Sequence, residues 1–267
     1  MTGRAREKRT VREAFDGAAA SYDSAARVQR EICHRLATFA SALPRPAAVH
    51  RVMDAGCGTG YGLGLLGQLY PGATSIALDF APAMLAHLCT DGFSTVPPLP
   101  LCADLEAIPL AAGSVDAIWS SLALQWCEPD AALREFARIL RPGGVVWIAT
   151  LGPRTLHELR DAFATIDDAD HVIRFHSRDL WLAEAAAAGF ELRAADEAPA
   201  FALAPDLRSL LRDIKAIGAH SVGAQRRRRP LGRSAWRQLE TRYESHRRDD
   251  GLLPATYDVI LLALGKA

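Results

Sequence analysis

Val52-Met53-Asp54-Ala55-Gly56-Cys57-Gly58-Thr59-Gly60 is the stretch on which the fold turns. A short apolar run meets an acid and then three glycines at alternate positions, the pattern of a buried β-strand ending in a tight turn that opens a helix. The helix predicted to follow runs through about Tyr70, where Pro71-Gly72 breaks it. Thr74 to Leu78 reads as a second strand closing on Asp79, and Pro82 suits the first turn of another helix. Further strands are predicted at Leu101-Cys102-Ala103-Asp104, at Val115 to Leu124 and at Val145 to Leu151. Leu133, Phe136, Ala137 and Leu140 mark an amphipathic helix before the last of these, stopped by Arg141-Pro142-Gly143-Gly144. Strands alternating with helices predict an α/β fold built on a parallel sheet.

Outward from this core, residues 11 to 43 read as a helical cap whose apolar stripe is Val28, Ile32, Leu36 and Phe39. Residues 152 to 189 read as helical, and 205 to 248 as a mostly polar helical insertion. Phe190 to Arg193, Phe201 to Leu203 and Tyr257 to Leu264 are candidate closing strands. The expectation is one domain: cap 11–43, ligand-binding core 48–152, insertions 153–189 and 205–250, and a closing strand 257–267.

Composition narrows the function classes. The 267 residues carry 31 Lys+Arg against 31 Asp+Glu, with 49% hydrophobic residues, 20 Gly and 15 Pro, which excludes wholesale disorder and fibrous repeats. Zero net charge argues against a general nucleic-acid binder, yet residues 226 to 250 hold nine Arg and four acids, a local +5. No apolar stretch approaches the roughly 18 residues of a membrane span, and the basic start lacks an apolar segment behind it, so a cytosolic protein with no membrane partner is expected. Cys33, Cys57, Cys89, Cys102 and Cys127 are odd in number and form no C-x-x-C pair, so free thiols are expected and no metal site.

In an open parallel sheet the ligand sits outside the carboxyl ends of the strands, which directs attention to the Asp54 loop. Counting from Gly56 and Gly58, a dinucleotide fingerprint fails because its third glycine is Tyr61. The literal G-x-G-x-x-G at Gly62, Gly64 and Gly67 starts too far past Met53 and reads as closely packed helix. Asp54 is a poor neighbour for a pyrophosphate and a good one for an ammonium, which favours a cofactor carrying an amino acid. Asp79 can accept from both hydroxyls of a ribose, and Asp104 from an adenine amino group. Each acid alone could merely cap the helix after it; three at successive strand ends, one tied to G-x-G-x-G, point to a nucleoside.

Over residues 48 to 152 this arrangement resembles the class I S-adenosylmethionine-dependent methyltransferases. That resemblance implies a Rossmann-like sheet, mostly parallel with an antiparallel closing strand, flanked by helices and bearing helical lid insertions. It implies S-adenosyl-L-methionine as cofactor, held by Tyr22, Gln29, Asp54, Gly56, Cys57, Gly58, Gly60, Asp79, Phe80, Met84, Asp104 and Leu105. Further strings run across nearly the whole chain: Phe15-Asp-Gly-Ala-Ala-Ala-Ser-Tyr22-Asp23 with Gln29, Ser121-Leu-Ala-Leu-Gln125-Trp126-Cys127, Asp170-His171-Val-Ile-Arg174-Phe175, Leu211-Arg-Asp-Ile-Lys215-Ala-Ile-Gly218-Ala219 and Leu253-Pro-Ala-Thr-Tyr257. Together they resemble the malonyl-acyl-carrier-protein O-methyltransferase family of biotin synthesis. Position 173 departs from that pattern, being Ile where Asn is usual, and the Arg226 to Arg229 block is particular to this chain.

The resemblance implies methylation of the free carboxylate of malonyl thioester on acyl carrier protein, with malonyl-CoA as a related acceptor, by a monomer. It implies a site formed by Tyr22, Gln125, Trp126, His171, Arg174 and Lys215. Arg suits the substrate anion because its fork pairs with both carboxylate oxygens, and Arg174, Arg178, Arg212 and Lys215 are the basic candidates. Tyr22 and Gln29, seven residues apart in one helical segment, would share a face over the methionine end of the cofactor. Gln125 and Trp126 follow the fourth strand, where substrate-facing residues project. Cys57 and Cys127 flank the site without a legible base, so no covalent mechanism is read. The basic stretch 226–250 suits an acidic carrier protein; a solubilising helix face and RNA binding are its other readings. A related methyltransferase of another small acid or a quinone, or a non-catalytic binding module, are the alternatives for the whole chain.

Overall fold

The computed structural model describes residues 3–46, 48–88, 97–167, 169–216 and 231–267. Cys89 and the Arg226 to Arg229 block lie outside them. The chain opens with α1 (Gly3–Ala25) and α2 (Arg27–Ser41), followed by β1 (Arg51–Ala55), α3 (Tyr61–Leu69), β2 (Thr74–Asp79), α4 (Pro82–Ala86), β3 (Leu99–Cys102) and β4 (Val115–Ser121). Then come α5 (Pro129–Ile139), β5 (Leu140–Leu151), α6 (His157–Phe163), α7 (Arg178–Ala187), β6 (Phe190–Ala204), α8 (Leu207–Ala216), α9 (Arg233–Tyr243) and β7 (Leu253–Lys266).

The strands form one sheet in the order β3-β2-β1-β4-β5-β7-β6. Every pairing is parallel except those of β7, which runs antiparallel to both β5 and β6. Strand order reverses between β1 and β4, so the crevice beyond their carboxyl ends is where a ligand fits. Both faces of the sheet are covered, which is why its strands read as unbroken apolar runs. Trp119 and Trp147 face α2 and α3 with Ile32, Leu36 and Leu66, whereas the neighbouring Ile118, Val146 and Ile148 pack on the other face against Leu133, Phe136 and Trp181 of α5 and α7. A separate small core joins Leu159, Leu210, Leu239, Tyr243 and Leu253, so the insertions have packing of their own.

Several boundaries differ from expectation. The predicted cap of 11–43 is two helices, because Ala26 (φ −81°, ψ 34°) leaves the helical path between α1 and α2. Among the described residues of 152–189 only α6 and α7 are α-helical; between them the segment carrying Val172, Ile173 and Phe175 turns apolar side chains into a cavity wall. The two predicted strands at 190–193 and 201–203 are one strand, β6, and β7 begins four residues before the expected Tyr257. β3 lies at Leu99–Cys102 rather than 101–104, and β5 starts at Leu140, through Pro142-Gly143-Gly144. β4 stops at Ser121 because Leu122 takes the left-handed conformation (φ 57°), which no strand continues through.

The start of α7 is marked by Ser177, whose Oγ accepts from the Leu180 amide at 3.3 Å. Ser177→Ala is expected to lower the unfolding free energy by about 0.5–2 kcal/mol in urea titrations. Cofactor affinity should be unchanged in that variant.

Candidate active site

The glycine loop is held by backbone bonds before any ligand enters. The Gly56 and Cys57 amides both donate to the Leu78 carbonyl, at 2.8 and 2.9 Å, which ties the turn after β1 to the end of β2. Gly56, Gly58 and Gly60 have φ of 80°, 54° and 92°, a region other residues enter only with strain. Gly56 is constrained twice, since a Cβ there would lie 2.2 Å from Ala123 Cβ. Gly62 is the start of α3 pressed against Asp54 and Trp119, as the close-packing reading of the second glycine string expects.

Three contiguous cavities open around this loop. The first is walled by Asp79, Phe80, Met84, Asp104 and Leu105, together with Lys8 of α1. The third holds Asp54, Cys57, Gly58, Thr59, Gln29 and Arg30. The second, of about 320 Å³, is lined by Gln29, Gln125, His171, Lys215 and Tyr257 among many apolar side chains. Tyr22 and Leu122 line all three, so they stand where the cavities meet.

Asp79 accepts from the Gly58 amide (2.9 Å) and the Ala81 amide (2.8 Å). Asp104 accepts from the Glu106 amide at 3.0 Å. Both acids therefore brace the turn after their strand and line the first cavity; α4 starts from Ala81 with no side-chain cap, so Asp79 does not cap it. Asp104 also bonds Lys8 Nζ at 2.5 Å, and Lys8 reaches Glu106 at 2.8 Å. The Asp16 carboxylate accepts from the Ala83 amide (2.9 Å), and the Phe15 ring packs edge-on to Trp126. Together these contacts lay α1 across the first cavity.

The electrostatics are dominated by burial. Asp54 is 2% exposed, and burial, with Asp79 nearby, pushes its carboxyl up to about 8. Asp79 is also raised by burial, against the pull of the amides that bond it. Burial, then Asp54 and Asp79, raise the Cys57 thiol, so it is no thiolate nucleophile. Burial likewise raises Tyr22, and it pushes Tyr257 up to about 12 against the hydrogen bond with Gln29, which lowers it. His171 Nε2 lies 2.7 Å from Asp167, and its ring is stacked on Phe163 at 3.4 Å, so the imidazole is fixed in place.

Most predicted residues come together here. Gln29 and Tyr22 line the same cavities from two different helices rather than from one face of a single helix. Trp126 and Gln125 border the second cavity; Gln125 Nε2 donates to the Leu122 carbonyl (2.6 Å), leaving its buried Oε1 without a partner among the described residues. Gly60 caps α3 and touches none of the three cavities. Arg174 is exposed and lines none of them, because the strap turns Val172, Ile173 and Phe175 inward instead. Arg178 is engaged with Glu197 (3.1 Å), and Arg212 lines none of the three cavities, whereas Lys215, exposed as well, lines the second. Sequence reasoning missed Lys8, Leu122 and Arg30. Tyr257 was visible only as the end of the Leu253 to Tyr257 string.

Residues 53–148 match the family model of a methyltransferase domain. The geranyl diphosphate C-methyltransferase of Streptomyces coelicolor A3(2), solved with S-adenosyl-L-homocysteine, shares the fold with a TM-score of 0.51 at 17% identity, over 86% of this chain and 78% of that one. A malonyl-[acyl-carrier protein] O-methyltransferase of Laribacter hongkongensis (strain HLHK9) is 47% identical over 95% of this chain and 88% of its own length. One of Dechloromonas aromatica (strain RCB) is 45% identical, over 96% and 93%. The fold and the site define a class I methyltransferase dependent on S-adenosylmethionine. The donor set fits that cofactor, with an acid for the ammonium in the third cavity and two strand-end acids with Phe80 for the nucleoside in the first. Within the class, the chain belongs to the malonyl-[acyl-carrier protein] O-methyltransferase family.

Proposed function

We propose that this enzyme transfers a methyl group to the free carboxylate of malonyl thioester carried by acyl carrier protein, giving the methyl ester, and that it works as a cytosolic monomer. The observation that carries the reading is the second cavity: largely apolar, joined to the cofactor cavities at Tyr22 and Leu122, and furnished with His171 and Lys215. The names of the relatives at 47% and 45% identity support the same acceptor.

S-adenosylmethionine supplies an electrophilic methyl on a sulfonium. A carboxylate with a pKa near 4 is already ionised at pH 7, so none of the chain's residues has to act as a base. Their work is alignment and dehydration. Leu122, Trp126, Leu151, Leu156 and Phe175 exclude water from the path, and a site without water speeds a step in which anion and cation cancel. Holding the attacking oxygen at about 3–3.5 Å in line with the methyl contributes several kcal/mol. Lys215 supplies positive charge to the substrate carboxylate, and His171, fixed by Asp167 and Phe163, presents its ring beside it. Gln125 Oε1 is available to an amide N–H of the thioester arm.

Arg208, Arg212 and Lys215 lie on α8, whose Leu211, Ile214 and Lys215 line the second cavity, and Arg233, Arg237 and Arg242 lie on α9, which meets α8 where Arg208 packs over the Trp236 ring. They support docking of an acidic carrier by long-range attraction. Mass spectrometry of carrier protein loaded with malonyl, succinyl or acetyl groups tests the reading: a gain of one methyl on the malonyl form alone is expected. A gain on the acetyl form, which has no free acid, or on none, overturns it. Added salt should slow turnover steeply for carrier-bound malonyl and little for malonyl-CoA; equal responses would remove the docking surface.

A further inference from the structure

The second cavity is polar at one end and aliphatic along the rest. Its polar end is where it meets the cofactor cavities: Tyr22 lines all three, Gln29 is shared with the third, and Tyr257 is bonded to Gln29. Burial raises the Tyr22 hydroxyl above its ordinary value, so at pH 7 it keeps its proton and can donate to a carboxylate. On the acceptor side the wall changes character. Leu156, Leu159 and Ile214 are buried members of the small insertion core, and Val172 and Leu211 pack against it. None of these side chains lines either of the other two cavities.

Size is the second observation. The cavity has a volume of about 320 Å³. At roughly 30 Å³ per chain carbon, about the share of one water in the liquid, that is room for roughly eight to ten carbons, and a malonyl group fills only about a third of it. A carboxylate at the Tyr22 end with an unbranched alkyl tail along the leucines matches both the polarity and the volume. We propose that the enzyme also methylates free straight-chain carboxylic acids of medium length, with the carboxylate held at Tyr22 and Gln29 and the tail lying in the second cavity. The inference rests on the methyl-transfer reading above and adds a second class of acceptor, one that needs no carrier protein. Such an acid is ionised at pH 7, as the malonyl carboxylate is. One of its oxygens attacks the sulfonium methyl: the O–CH₃ bond forms as the CH₃–S bond breaks, the bonding pair stays on sulfur as the thioether of S-adenosylhomocysteine, and no proton moves.

The test is a chain-length series. Wild type is incubated with S-adenosylmethionine and each straight-chain acid from butanoic to tetradecanoic, with malonyl-carrier protein as reference and octan-1-ol as a tail without an acid, and methyl products are quantified by mass spectrometry. Each methylene taken out of water into the cavity should raise kcat/KM about fourfold, up to the length the cavity holds, after which it should fall. Octan-1-ol should give no product. Leu211→Trp, at a half-buried wall position, should move the optimum to shorter acids, and the wild-type series stands by itself if that variant does not fold. Methylated malonyl-carrier protein with no ester from any free acid, or with rates that ignore chain length, overturns the inference and leaves the acceptor reading intact. Esters from the free acids without methylation of malonyl-carrier protein uphold the inference and overturn that reading; no methylated product from any of them overturns both.

Discussion

Gly56→Ala is expected to lose cofactor affinity by more than a hundredfold and to melt several degrees lower than wild type. Two costs fall on one methyl group. At φ 80° an alanine incurs about 1–2 kcal/mol of backbone strain. Its Cβ would sit 2.2 Å from Ala123 Cβ, so either the loop or the turn after β4 must move. Movement of the loop disturbs the Gly56 and Cys57 amides on Leu78 and the Gly58 amide on Asp79, which set the shape of the first and third cavities. Calorimetry with S-adenosylhomocysteine and a thermal melt check both halves. The double variant with Ala123→Gly removes the collision but not the strain, so it should recover part of the affinity; no recovery would mean that strain alone accounts for the loss.

Asp54→Asn is expected to be more stable than wild type at pH 8 and above, yet to bind the cofactor at least a hundredfold more weakly. Burial raises the folded carboxyl to about 8, against about 3.9 in an unfolded chain. Between those values the folded state holds a proton that the unfolded state has released. The apo protein should therefore lose stability as pH rises from about 4 towards 8, by a few kcal/mol, and level off above. Asparagine removes that slope. When the cofactor's ammonium arrives, the ionised carboxylate is favoured, so binding at pH 7 should release up to one proton. Titrations in buffers of different ionisation enthalpy measure it; a binding heat independent of buffer would place the ammonium elsewhere.

The parts legible in the sequence were those whose signal is local. The Asp54 to Gly60 loop, the strand-end acids Asp79 and Asp104, and the 3.6-residue stripe of α5 are each written within one turn or one element. The family strings extended this to Tyr22, Gln125, His171 and Lys215. What escaped depends on distant segments meeting. Lys8 reaches Asp104 across 96 residues of chain, and nothing around Lys8 marks it. Leu122 looks like a continuing strand residue until the turn after β4 forces its backbone left-handed. Arg174 was grouped with Lys215 because both are basic and both lie on inserted segments; only the direction of the strap separates them. The break at Ala26 carries no glycine or proline, the usual punctuation of a helix end.

Because Tyr22 and Leu122 are shared by all three cavities, methyl donor and acceptor meet at a single narrow doorway. Beyond it, on the acceptor side, a large share of the wall comes from the segment at 170–175 and from α8, whose Val172, Leu211 and Ile214 belong to the small insertion core. Acceptor scope is accordingly a transplantable property: exchanging those two segments redraws what can be methylated, while the glycine loop goes on presenting the same donor. A laboratory seeking new esters from this scaffold has its library already bounded.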